Sequence, residues 1–175
     1  LKYFSPNFAL KQRMEVDEWL SELIYLWKHD PTKGISHKSH FKWVESSQSP
    51  TGEYGAGAIK TDGTLWVWGS NQFGRLGQNS VSHTGYSSPI QIPGTTWKTL
   101  NIGGANSYGM SAIKTDGTLW SWGRNQYGQL GVSNNTEYSS PVQVGSDTTW
   151  KACYISGTTG GGTKTDGTLW TWGRN

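Results

Sequence analysis

The feature that most constrains this chain is a Trp- and Gly-rich unit of about fifty residues that recurs along it. Three segments align without gaps: Ile59–Gly69 (IKTDGTLWVWG), Ile113–Gly123 (IKTDGTLWSWG) and Thr163–Gly173 (TKTDGTLWTWG). Trp43, Trp97 and Trp150 each open a copy. GSNQFGRLG (Gly69–Gly77) matches GRNQYGQLG (Gly123–Gly131), and YSSPIQI (Tyr86–Ile92) matches YSSPVQV (Tyr138–Val144). The units are therefore 43–96, 97–149 and 150–175, the third about half as long as the others. A unit this short cannot bury its apolar face alone, so neighbouring copies must stack to make a core.

Each copy reads as strands. Asp-Gly inside IKTDGTL predicts a two-residue type I′ hairpin, whose central residues both need positive φ. It would join a strand near Gly109–Thr115 to one near Thr118–Trp122. The second of these, TLWSW, carries β-formers on both faces, as a sheet sandwiched between other sheets requires. The three glycines of GRNQYGQLG predict a compact loop with backbone conformations other residues adopt only under strain. SSPVQV reads as an edge strand, because its proline cannot donate to a central ladder. WKTLNIG supplies a fourth strand. Four antiparallel strands per repeat predict a β-propeller blade. The expected fold class is all-β: a partial β-propeller of about two and a half four-stranded blades, preceded by an N-terminal amphipathic helix.

The combined pattern W-K…A-I-K-T-D-G-T-L-W-x-W-G-x-N-x-x-G-x-L-G…S-S-P-x-Q-V resembles the regulator of chromosome condensation repeat over residues 41–175. The near-identical copies, with few charges and Ser/Thr/Asn-rich loops, are most similar to prokaryotic and phage arrays of that family. The resemblance implies a closed propeller, usually of seven blades, which at this spacing needs about 370 residues. A longer parent chain, other copies or a partner would then complete the ring. We expect a longer parent chain, because the third unit stops within the motif. Family repeats often carry a Ser-His pair before the second strand. Here those places hold Glu53-Tyr54, Ser107-Tyr108 and Thr159-Gly160, so any role of that histidine is absent.

The first thirty residues differ in style. Asn7 can cap a helix, and 8–29 contains neither Gly nor Pro. Val16, Leu20, Leu23 and Trp27 share one helical face, widened by Trp19 and Ile24. The expectation is a helical segment over 1–30, which packs on the propeller or on another part of the protein, or mediates docking. Residues 31–42 form a basic linker containing His37 and His40. Two histidines in a linker make an incomplete metal site. We expect a solvated connector, no metal and no cofactor.

Net charge is +3, with seven Lys/Arg against six Asp/Glu in residues 1–45 and eight against six in the rest. Neither part has the concentrated basic face that nucleic-acid binding needs, so no nucleic-acid partner is expected. Cys153 is the lone cysteine, which excludes an intrachain disulfide and a Cys-based zinc site. There is no apolar run of about eighteen residues and hence no membrane-spanning helix. The first thirteen residues lack the apolar stretch of a secretory signal.

No phosphate loop, Gly-x-Ser-x-Gly elbow or His-Glu-x-x-His motif occurs, so no enzyme activity is expected. Asp62, Asp116 and Asp166 each precede a turn glycine, which explains them structurally. Asn134-Asn135-Thr136 is a glycosylation sequon, meaningful only in a secretory pathway. The recurring Trp66, Trp68, Trp120, Trp122, Trp170 and Trp172 read as blade packing. A tryptophan-based light sensor exists in the family, but its Gly-Trp-Arg-His-Thr motif is missing here. Binding is expected where the repeats differ, in loops carried by the rigid scaffold. Arg75, His83, Tyr127 and Glu137 are the candidate contacts. The expected function is a noncatalytic protein-interaction or structural module with a protein or glycan partner, in a virion-type or extracellular-surface assembly. The alternative is a regulator of an enzyme, either a small-GTPase exchange factor or a hydrolase inhibitor.

Overall fold

The computed structural model describes residues 43–48, 55–81, 84–104 and 107–174. The expected N-terminal helix and the linker with His37 and His40 lie outside the described residues, as does His83.

Among the described residues, eleven strands form three antiparallel sheets in chain order. The first holds β1 (Trp43–Gln48), β2 (Ala56–Lys60), β3 (Leu65–Gly69) and β4 (Tyr86–Ile92), in that spatial order. The second repeats it with β5 (Trp97–Ile102), β6 (Gly109–Lys114), β7 (Leu119–Gly123) and β8 (Tyr138–Gln143). The third has β9 (Trp150–Ile155), β10 (Thr159–Lys164) and β11 (Leu169–Gly173). The sheets are successive blades of a partial β-propeller. Their first strands converge, β1 on β5 and β5 on β9. The proline-containing β4 and β8 lie at the opposite sheet edge, where a missing N–H breaks no central ladder.

Strand alternation gives each blade two working faces. In β7, Leu119 packs toward the third blade with Ile113, Val144 and Trp150. Trp122 points the other way and joins Ile59, Leu65, Val67, Leu76 and Ile92 of the first blade. Leu65 and Val67 are the counterparts of Leu119 and Ser121, and they face forward in the same sense. The core therefore lies between blades, and each strand contributes to two of its layers.

The recurring Trp-Lys pair has a backbone cause. Trp43 pairs with Lys60, Trp97 with Lys114 and Trp150 with Lys164, and a register shift follows each pairing. A bulge at this point kinks the first strand of every blade in the same place.

The turn at Thr-Asp-Gly differs from the two-residue type I′ hairpin that Asp-Gly suggests. Gly117 N donates to Lys114 O at 2.9 Å, and Lys114 N donates to Thr118 O at 3.0 Å. Gly117 has φ +80, whereas Asp116 is not among the residues with positive φ. This is a three-residue loop: a type I turn over Thr115 and Asp116, closed by a left-handed glycine bulge. Asp116 itself tips the balance, because its carboxylate accepts from Thr118 N at 3.0 Å and so fixes a conformation with negative φ. The turns at Gly63 and Gly167 have the same bonds.

Candidate functional site

The loops that leave β3 and β7 keep a common G-x-N-x-x-G-x-L-G frame while several of their side chains differ. One asparagine organises each. Asn71 Oδ1 accepts from Leu76 N at 3.0 Å, and its Nδ2 donates to Ser80 O at 3.0 Å. Asn125 repeats this, accepting from Leu130 N at 3.0 Å and donating to Asn134 O at 2.7 Å and Thr136 O at 2.9 Å. Both asparagines are fully buried, and a buried amide must be satisfied in this way. The G-x-N triplet that starts each loop was the available signal for them.

Across each blade junction, arginines lie over aromatic rings. Arg124 of the second blade sits 4.9 Å from the Phe73 ring of the first and 5.7 Å from the Tyr108 ring. Phe73 meets Tyr108 edge-on at 4.9 Å, with Phe73 held at φ 58. Arg174 of the third blade lies 5.3 Å from the Tyr127 ring of the second. The same loop position thus presents an aromatic ring to an arginine from the next blade at both junctions, a cation–π contact that ties the loop face together. Tyr108 has Thr158 as its counterpart, since Arg124 N donates to Tyr108 O and Arg174 N to Thr158 O, both at 2.9 Å. The spacing alone had pointed to Thr159-Gly160, two residues beyond the structural counterpart Gly157-Thr158.

The sequence-selected residues separate on this face. Tyr127 is half-buried beneath Arg174, and Glu137 is exposed at the rim, on the stretch between Thr136 and β8. Arg75 is buried, 1% exposed, with its guanidinium 5.1 Å from the Tyr108 ring. Its counterpart Gln129 is also buried, donating from Nε2 to Gly157 O at 3.1 Å and accepting from Tyr127 N at 2.9 Å. Arg75 and Gln129 therefore work inside their blade junctions, whereas Tyr127 is half-buried and Glu137 exposed. Sequence reasoning missed Arg124, Arg174, Phe73 and Tyr108, because their partners lie one blade away.

The three recurring carboxylates are anchors of local structure. Asp116 Oδ1 accepts from Thr118 Oγ1 at 2.7 Å as well as from its N–H, and Thr118 Oγ1 accepts from Trp120 Nε1 at 2.9 Å. Asp62-Thr64-Trp66 and Asp166-Thr168-Trp170 repeat the relay. The Thr64 hydroxyl and N–H hold the Asp62 carboxyl below its ordinary range, and the Thr118 hydroxyl and N–H do so for Asp116. For Asp166 the Thr168 N–H is the larger influence and the hydroxyl the second. Among the described residues no three His, Cys, Asp or Glu side chains gather as metal ligands. No helix among them is long and apolar enough to cross a membrane.

The model of the Regulator of chromosome condensation (RCC1) repeat matches residues 62–102 and 116–157. The chain is similar to the human probable E3 ubiquitin-protein ligase HERC3, 33% identical over 57% of this chain and 9% of that protein. It is similar to human Protein RCC2, 31% identical over 54% of this chain and 19% of that one. It thus spans less than a fifth of either relative. Among solved structures, yeast RCC1 (Prp20) bound to Kap60 superposes with a TM-score of 0.64 at 18% identity, covering 75% of this chain and 32% of that one.

Proposed function

We propose, from the premise that this chain is built of repeats of the regulator of chromosome condensation family, that it is a noncatalytic module binding a protein partner through its β3 and β7 loop face. The observation that carries this is the pairing of a pinned loop backbone with a varying surface. Asn125 fixes the second loop at its buried base, while Tyr127 and Glu137 reach its half-buried and exposed positions. Binding loops on rigid scaffolds have this division of labour. Protein binding also fits the relative of the same fold, which was solved with Kap60.

The test is affinity for a purified partner. Tyr127→Ala with Glu137→Lys should weaken binding about tenfold or more, as loss of a central aromatic and reversal of a rim charge do elsewhere. Unchanged affinity overturns the loop-face reading. The exposed forward face of the last blade supports a second element of the proposal. Leu169 is 65% exposed there, an apolar position that fits contact with a further protein surface.

The finer setting remains part of the proposal. The Ser/Thr/Asn-rich, charge-poor loops support a virion or extracellular-surface assembly, whereas the relatives compared above are human and yeast proteins. The alternative, regulation of an enzyme by nucleotide exchange or inhibition, is separated by an exchange assay across small GTPases. Exchange above background would replace the structural reading.

A further inference from the structure

A groove recurs at the outer side of each described blade junction. Between the first and second blades it has a volume of about 320 Å³, with Pro93, Trp97, Lys114, Trp120 and Pro141 in its walls and Asn79 and Ser140 beside them. Between the second and third it is about 510 Å³, with Gly145, Trp150 and Trp170 at the places of Pro93, Trp97 and Trp120, and Asp147 as an addition. A lysine ammonium rests on the two indoles that line each groove, Lys114 within the first and Lys164 against the walls of the second. Lys114 Nζ is 3.9 Å from the Trp120 ring and 4.9 Å from the Trp97 ring. Lys164 Nζ is 4.1 Å from the Trp170 ring and 5.1 Å from the Trp150 ring.

The two grooves differ in one charge. The connection before β9 is Gly145-Ser146-Asp147-Thr148-Thr149, one residue longer than Pro93-Gly94-Thr95-Thr96 before β5. The extra length brings Asp147 Oδ2 to 2.8 Å from Lys164 Nζ. No ion pair forms at Lys114 among the described residues. The nearest acid in sequence, Asp116, has its Oδ1 engaged by the Thr118 N–H and hydroxyl. A half-buried ammonium over aromatic walls is poorly hydrated, so it gains more from a carboxylate than a surface lysine does. The second groove shows which group that site accepts, because the chain supplies one there itself.

We propose that the groove at the first junction binds an aspartate or glutamate side chain of an extended segment of a partner protein. The carboxylate takes the position at Lys114 that Asp147 takes at Lys164. The segment's backbone lies between the Pro93 and Pro141 rings, with the Asn79 and Ser140 side chains at its polar edge. This deepens the protein-binding reading above and rests on it.

The probe is the internal ligand made external: the capped peptide Gly-Ser-Asp-Thr-Thr, copying residues 145–149, titrated into the full chain. The indole N–H resonances of Trp97 and Trp120 report the first groove, and those of Trp150 and Trp170 the second. The aspartate peptide should move Trp97 and Trp120 and leave Trp150 and Trp170 in place. Replacing its Asp by Asn, or making Lys114→Gln, should weaken the interaction about tenfold, the scale of a lost charge-assisted hydrogen bond. Asp147→Asn should open the second groove, so that Trp150 and Trp170 then move as well. Immobile Trp97 and Trp120 resonances, or equal binding of the Asn peptide, overturn the proposal. The peptide comparison uses the unaltered chain, so a misfolded variant cannot decide the outcome. A partner that binds the loop face without moving Trp120 would leave the loop-face reading standing and overturn this one.

Discussion

The second and third blades carry nearly the same hairpin strand, LWSWG in β7 and LWTWG in β11, yet these strands live in different surroundings. Leu119 is fully buried and Leu169 is 65% exposed. Trp122 is fully buried, while Trp172 is half-buried. Both indoles nonetheless donate to a loop carbonyl of the blade before, Trp122 to Arg75 O at 2.7 Å and Trp172 to Gln129 O at 2.9 Å. The difference lies on the forward side, where β7 has a blade in front of it and β11 has none described. A strand of this repeat is therefore completed by two neighbours. Its tryptophan face is served by the preceding blade and its leucine face by the next. This is the nearest-neighbour logic of repeat proteins, applied to successive propeller blades.

The comparison breaks most visibly at the buried side chains. Trp122→Ala should destabilise by about 3–5 kcal/mol, as the loss of a fully packed indole does. Trp172→Ala, with part of its surface already in water, should cost distinctly less. Leu119→Ala should cost about 2–5 kcal/mol, and Leu169→Ala should stay within about 0.5 kcal/mol. Urea unfolding of the four variants checks both pairs. Equal losses at Leu119 and Leu169 would show that something covers β11 in solution, and a concentration-dependent midpoint would then identify it as another copy.

The turn glycines sharpen the same contrast. Gly117 has φ +80 and Gly167 φ +87, so a side chain is strained at either. A Cβ on Gly117 would lie 1.9 Å from Thr148 O, where the next blade begins. One on Gly63 would lie 2.1 Å from Thr95 O, whereas one on Gly167 meets nothing within 4 Å. Gly167→Ala should therefore cost only the left-handed strain, about 1–2 kcal/mol. Gly117→Ala should exceed it by about 1–3 kcal/mol of enforced displacement, and would also disturb the bond from Trp150 N to Gly117 O. Thermal unfolding of the two variants measures the gap, and no gap would mean that the blade junction yields without loss.

Legibility in the sequence depended on where each interaction partner lies. The repeat, its strands and the edge position of SSPVQV could be read because strand pairing in a blade is local. The hairpin's existence was legible, but its turn class was not, since Thr118 and Asp116 outweigh the usual Asp-Gly preference. Arg75 and Tyr127 stood out as variable, yet variability cannot say that one is buried under Tyr108 and the other half-exposed under Arg174. The contacts of Arg124 with Phe73 and of Arg174 with Tyr127 join residues about fifty positions apart, and so does the bond that Ile155 N donates to Asn101 Oδ1 at 2.9 Å. Local pattern carries no trace of such pairs. Nor does it explain β10, where Gly160-Gly161-Gly162 replace Met110-Ser111-Ala112. There Tyr154 lies across from Gly161, and a Cβ on that glycine would come within 2.4 Å of its ring. The ring takes the space a side chain would fill, as aromatic–glycine cross-strand pairs do.

The smallest effect is expected where the blades do not differ. Asp62, Asp116 and Asp166 make the same bonds to the threonine two residues on, and all three carboxyls are held below their ordinary range. A carboxyl whose pKa is lower in the folded chain stabilises it above the unfolded value, near pH 4, and this contribution fades as pH falls through the folded value. The wild-type chain should thus lose thermal stability below about pH 4, in part through these turns. Asp116→Asn keeps an acceptor for Thr118 but removes the titration, so it should flatten the acid limb slightly and lower stability slightly at neutral pH. Asp166→Asn should do the same by a similar amount, despite the uncovered face of its blade. Melting temperatures of both variants from pH 7 to pH 2.5 test this. A much larger change at Asp116 than at Asp166 would show that the following blade reaches the turn electrostatics as well as the packing, and would extend the neighbour dependence of Leu119 to Asp116.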